Sequence, residues 1–283
     1  WIFSEAGSMK SAAPAVNANG TVVYICDALG KAFAIDAASG QKKWQFSAGD
    51  AGRGLLVNGS ELLIGTQTDA FFVNIETGEQ IAKVTLGCEM SDITGFAVNS
   101  DKTLAYFGGR NGYIGAVNIK THEAIKSLVV EKDNPNLLYE PVVAPNGSVF
   151  AGSKNGSVYN VKGDLSAVNW EYVHTGSSLA NAFNYSHPCV DSENRFYITS
   201  GQTSNTTYIF DASGNVVDSW TYESGDNNQK QMGGNNYLDG VIYSAFIGGS
   251  SKNGVFVGKY VGGERASSWS THGGDICGSC CVK

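Results

Sequence analysis

The chain measures itself out in repeats. From Gly20 to Trp44 it reads GTVVYICDALGKAFAIDAASGQKKW, an alternating apolar run from Val22 to Cys26 followed by a turn at Leu29-Gly30. A second run covers Ala32 to Ile35, Asp36 and Gly40 punctuate a tight connection, and Trp44 opens a third run. Alternation with a period of two, broken by Gly, Asn and Asp, is the pattern of antiparallel hairpins. The unit begins at Pro14-Ala15-Val16-Asn17, a short inner strand with its turn at Asn19-Gly20.

Later units keep this order. Leu55 to Asn58, Phe96 to Asn99, Pro141 to Val143, Pro188 to Asp191 and Asn236 to Leu238 each open one. The residues matching Asp36 are Asn74, Asn118, Asn160, Asp211 and Lys259, spaced 38, 44, 42, 51 and 48 residues apart. A four-stranded unit of about 40–50 residues is the size of a propeller blade. The turns at Asn111-Gly112, Asn146-Gly147, Asn155-Gly156 and Asp239-Gly240 supply the positive φ that two-residue hairpins need. The expectation is an all-β chain: a β-propeller of about six four-stranded antiparallel blades in a single domain spanning 1–283. The repeats run roughly over 12–49, 53–88, 92–130, 138–176, 184–224 and 232–271, with a Cys-rich tail at 272–283. Pairing of the N- and C-terminal strands closes the ring. Trp1-Ile2-Phe3-Ser4, which matches Trp44-Gln45-Phe46-Ser47, and Ser267 to Ser270 compete for the closing place. In the first case the tail packs outside the ring.

Composition agrees. Charged residues are 16% of the 283 residues, below the roughly 25% of an average globular protein, and 36 are Gly. A net charge of −7 argues against general nucleic-acid binding, which needs a basic surface. No apolar stretch approaches the ~20 residues of a transmembrane helix. The chain opens at Trp1 in mid-pattern, which suggests an upstream segment.

At Ala34-Ile-Asp36-Ala-Ala-Ser-Gly40-Gln-Lys-Lys-Trp44 the chain resembles the tryptophan-docking repeat A-x-D-x-x-x-G-K-x-x-W of the pyrroloquinoline-quinone (PQQ) dehydrogenase-like β-propellers, with Gln41 in place of Lys. Ala34, Asp36, Gly40 and Trp44 carry the match. Elsewhere the motif is lost: Ala82 and Lys126 stand roughly where Trp44 does. The resemblance implies a propeller with Trp side chains docked between blades, in the non-enzymatic branch that includes outer-membrane-assembly scaffold lipoproteins. It implies a bacterial protein exported to the periplasm or cell surface.

The quinoprotein alcohol dehydrogenases set a vicinal disulfide against their quinone. Here the adjacent pair, Cys280-Cys281, lies at the C-terminus outside any repeat, and no acidic cluster is placed for calcium. No cofactor is expected, neither PQQ nor calcium. His272, Cys277 and Cys280 carry zinc-ligand atoms but match no common zinc spacing. A structural disulfide or an unpaired tail accounts for them more simply. Asn-Gly-Ser/Thr triplets at Asn19, Asn58, Asn146 and Asn155 fall on hairpin turns, where backbone conformation explains them. No nucleophile elbow, Walker loop or dinucleotide fingerprint is present.

Candidate site residues come from places where the repeats differ. The positions just before each inner strand are mostly small, as crowding at a propeller axis demands. The exceptions are Arg53, Tyr139, Glu140 and His187, with Asn235 beside them, and these should project at the channel mouth. Three readings follow: a non-catalytic module binding a protein or glycan at one rim, a propeller enzyme with PQQ or another chemistry in the channel, and a purely structural domain of a longer chain.

Overall fold

The computed structural model describes residues 1–9, 13–92, 94–132, 136–173, 188–200, 206–221, 230–231, 235–238, 240–247, 254–262 and 281–282. These residues are all β, with no helix among them. The first sheet runs Ala15–Val16, Val22–Cys26, Lys31–Asp36, Lys42–Ser47 in spatial as in chain order. The second repeats this with Gly54–Asn58, Glu61–Gly65, Asp69–Asn74 and Gln80–Thr85. The third has Ala97–Val98, Leu104–Gly108, Tyr113–Asn118 and Glu123–Val129. The fourth has Val142–Val143, Val149–Gly152, Val158–Val161 and Val168–Tyr172, the fifth Cys189–Val190, Phe196–Ser200, Thr206–Phe210 and Val216–Thr221. In the sixth, Gly254–Tyr260 pairs along one edge of Val241–Ile247, and Asn236–Leu238 and Lys230–Gln231 pair along the other.

The first strands of the first and second sheets touch, as do those of the third and fourth, the fourth and fifth, and the fifth and sixth. Burial grades outward from these strands. The third strand of the second sheet is buried through its middle, whereas the fourth strands of the first and fifth alternate or lie open. The core consists of layers between sheets. Leu55, Val57 and Ile64 of the second sheet pack on Ala15, Tyr24 and Ala34 of the first, and Phe150 and Val158 of the fourth pack on Phe196 and Phe210 of the fifth. Phe150 and Phe196 stack at 4.7 Å with planes 7° apart. This is why strands of the second to fifth sheets read as apolar on both faces: each of these sheets has a neighbouring sheet on either side.

Three indoles join a fourth strand, or its equivalent, to the turn of the next sheet. Trp44 Nε1 donates to the Ile75 carbonyl at 2.9 Å, and a methyl group on Gly78 would stand 2.7 Å from the ring. Trp170 donates to Ala212 O at 3.0 Å and covers Gly214, and Trp1 donates to Ala37 O at 2.9 Å and covers Gly40. Opposite Phe72 and Ala116, the places that answer to Trp44 opposite Ala34, stand Ala82 and Ile125. There the receiving turn carries a side chain where the others have glycine. His122 and Leu165 both hold φ of 55°. His122 lies 4.2 Å over Phe72 with Nε2 3.0 Å from Glu61 Oε2, and Leu165 is buried in the core layer. Among the described receiving turns, glycine stands where an indole lies on it.

The register corrects two alignments. Lys162, whose N–H donates to Ala167 O as that of Asp36 does to Gln41 O, takes the place expected for Asn160. Ile125, not Lys126, answers to Trp44. At the termini, residues 1–4 lie against the first sheet through Trp1 and through Phe3, whose ring meets Phe33 edge-on at 5.3 Å, but form no strand ladder. Cys281–Val282 pairs in parallel with Val57 and Asn58 on the open edge of the second sheet's first strand. The tail thus ends on the inner wall rather than outside it. Ser267 to Ser270 lies outside the described residues.

Candidate binding face

In a four-stranded meander, the segment entering the first strand and the turn joining the second to the third emerge at the same end. Residues 48–53, 86–92, 94–96, 130–132 and 136–141 therefore share one face with turns 66–68, 109–112 and 153–157. Arg53 anchors this face. Its N–H donates to Gly65 O at 2.8 Å, which aims the side chain across to the next sheet. There it enters a closed circuit of side chains. Arg53 pairs with Asp92 Oδ1, and Asp92 Oδ2 accepts from Arg110 at 2.5 Å. Arg110 Nε lies 3.9 Å from Glu89, Glu89 accepts from Gln67 at 2.7 Å, and Gln67 Oε1 accepts from Arg53 at 2.9 Å. Burial works to raise the Asp92 carboxyl, but hydrogen bonds from Arg110 and Arg53 outweigh it and hold it below the usual carboxylate range. Arg53 is buried, whereas Asp92, Glu89 and Arg110 keep 45%, 48% and 32% of their side chains exposed.

Glu140 is buried with its carboxyl over Gly95, where a methyl group would come within 2.9 Å of it. Gly54 is equally hemmed in, 3.1 Å from the Phe96 ring by the same measure, so the small residues before the inner strands do mark close approach. Tyr139 turns the other way and packs between the fourth and fifth sheets with Val142, Phe150 and Val190. Asn235 is buried and accepts from Thr199 Oγ1 at 3.1 Å. The four residues thus share one face but belong to different intersheet seams. His187, together with His272, Cys277 and Cys280, lies outside the described residues. Among the described residues no three His, Cys, Asp or Glu side chains gather as metal ligands would.

Asp92, Glu89, Gln67 and Arg110 were not singled out in the sequence. Their hydrogen-bond partners lie 14 to 39 residues away in the chain, and only the position of Arg110, just before the Asn111-Gly112 turn, pointed to this face. Glu131 was also missed. It is a buried carboxylate in the segment leading to the fourth sheet.

A family model described as outer membrane protein assembly factor BamB matches residues 3–172. Among solved structures, the chain is similar to BamB from Moraxella catarrhalis, with a TM-score of 0.53 at 12% identity over 89% of this chain and 86% of that one. At that identity the likeness is one of fold. Comparison with curated proteins gave no significant match.

Proposed function

Because the chain belongs to the family of PQQ-like β-propellers described by the outer membrane protein assembly factor BamB, we propose that it is a non-catalytic scaffold of an exported bacterial protein, in the periplasm or at the cell surface. It engages a protein partner through the face that carries the Arg53–Asp92–Arg110–Glu89–Gln67 circuit. That circuit is the observation that carries the reading. It fixes two long segments and two turns from neighbouring sheets into one surface of mixed charge, with its carboxylates half open to a partner. Protein recognition uses such polar, preformed rims around apolar contacts, and Leu29, 66% exposed in the corresponding turn of the first sheet, supplies an apolar contact. The protein works without PQQ, calcium or another cofactor.

We read the ring as six blades closed through its N-terminus. Trp1 stands to Gly40 as Trp44 stands to Gly78, which is the contact expected of a last blade's outermost strand meeting the first blade. The docked indoles fit the tryptophan-docking role that the repeat implies.

Photo-crosslinking residues placed at Leu29 and Thr68, in the native host, should yield discrete protein adducts, while a probe at Asp101 on the opposite face should yield none. Adducts to glycan alone, or equal labelling from both faces, would overturn the reading. A thermal shift on adding PQQ with Ca²⁺ would return the protein to the enzymes.

A further inference from the structure

A cavity of about 390 Å³ opens between the third and fourth sheets, away from the side-chain circuit. Its lining is mixed, and its apolar part is Val129 at the end of the third sheet's outer strand, Val130, Val168, and Val173, which is 56% exposed. Glu131 and Tyr159 also line it, with Lys132 and Glu171, both exposed. The Glu131 carboxylate is buried and accepts from uncharged donors only: Asn136 N at 2.7 Å, Ser153 Oγ at 3.0 Å, Asn155 Nδ2, and the Tyr159 hydroxyl at 3.4 Å. Among the described residues no Lys, Arg or His nitrogen lies within 4.0 Å of it, so the partners they give it are neutral dipoles. Burial, and next the negative charge of Glu131, push the Tyr159 phenol well above its ordinary value.

A buried carboxylate gains most from a cation brought to it in a place shielded from water. An apolar wall beside it suits an aliphatic stem, as lysine and arginine stems lie along apolar surfaces with their charged ends free. Glu171 pairs with Tyr159 in the strand register and so faces the same side of the sheet, adding a second negative charge near the mouth. With Lys132 the lining carries a net negative charge.

We propose that this intersheet cavity is a binding site for an alkylammonium or alkylguanidinium group, the end of a lysine or arginine side chain of a polypeptide or a free alkyl amine. Valines take the stem, and Glu131 with Glu171 takes the charge. The site lies on the same face as the circuit but one intersheet seam further along, and small molecules test it whether or not that face binds a protein.

The experiment is ligand-observed NMR on the intact chain with four probes: Nα-acetyl-lysine methylamide, Nα-acetyl-arginine methylamide, cadaverine, and the uncharged Nα-acetyl-norleucine methylamide. The expected result is saturable binding of a cationic probe with Kd on the order of 1 mM, weakened by added salt. Norleucine should bind at least about tenfold more weakly, since only the charge is gone. Preference for the amino-acid amides over cadaverine identifies a polypeptide side chain as the natural source, and the reverse preference a free amine. Glu131→Gln should abolish the binding. Because that variant disturbs a satisfied network, Glu171→Lys at the exposed mouth is the companion, expected to fold normally and weaken binding about tenfold by reversing the local charge. Equal binding of norleucine, no cationic binding by about 20 mM, or indifference to Glu171→Lys in a folded protein would overturn the proposal.

Discussion

The Trp44 indole lies on Gly78 with its N–H bonded to the Ile75 carbonyl. A side chain at Gly78 meets two obstacles, a φ of +74° and the ring itself. Gly20, at φ +73° with nothing within 4 Å, meets only the first. Gly20→Ala should therefore cost about 1 kcal/mol, and Gly78→Ala a further ~1–3 kcal/mol for overpacking. Urea denaturation of the two variants checks this; equal losses would mean that the indole yields freely.

Where the indole is missing, the turn has kept its left-handed residue and filled the space. Ala82→Trp alone should destabilise, because the ring would meet His122. His122→Gly alone should also destabilise, because the contacts with Phe72 and Glu61 are lost. The double variant should recover part of both losses, with a coupling of about 1–3 kcal/mol in a double-mutant cycle. Additive losses would show that Ala82 and His122 do not share one space.

Acid should weaken the fold partly through Asp27. This buried carboxylate accepts the backbone N–H groups of Gly7, Leu29 and Lys31, each at 2.9 Å. Burial alone would raise its pKa, but these hydrogen bonds and nearby Lys31 outweigh it and lower the folded value. Its contribution is thus complete above the unfolded value near 4 and is lost as pH falls through the lower folded value. Asp27→Asn should reduce stability at neutral pH by about 1–3 kcal/mol and make the acid limb shallower. A variant whose loss is the same at pH 7 and pH 2.5 would contradict this.

Thiol labelling should separate buried Cys26 and Cys189, and half-buried Cys88, from the same thiols in the unfolded chain. Burial, ahead of neighbouring carboxylates, raises Cys26 to about 12 and Cys88 to about 11, and raises fully buried Cys189. With so little thiolate at pH 8, all three should resist iodoacetamide in the native protein and react on denaturation, as peptide mass spectrometry can read. Prompt native labelling of Cys189 would show that the fifth sheet opens.

The blade order was legible because turn chemistry is local. Asn146-Gly147 and Asn111-Gly112 announce themselves within a few residues, and each strand's alternation lies beside its own turn. The register around Asn160 was misread for the same reason. Asn looks like a turn residue, yet here its side chain donates to Ser148 Oγ and accepts from Asn169 inside the sheet, and Lys162 makes the turn. The candidate face was legible in place but not in detail. Arg53 stood out as bulky among small residues, but its partners Asp92 and Gln67 are joined to it by folding, not by spacing. Tyr139 and Glu140 stood out equally, and nothing in their neighbours foretold that one would enter an intersheet core while the other crosses to Gly95.

The side-chain circuit around Asp92 ties the segment ending at Arg53 to the segment containing Glu89 and Asp92, and both to the turns holding Gln67 and Arg110. Segments of such length, left free, would surrender conformational freedom on meeting a partner, at roughly 1–2 kcal/mol for each residue fixed. Here most of that ordering accompanies folding itself. A partner would meet a rigid template, so changes at its exposed edge should act on how long the complex lasts more than on how fast it forms.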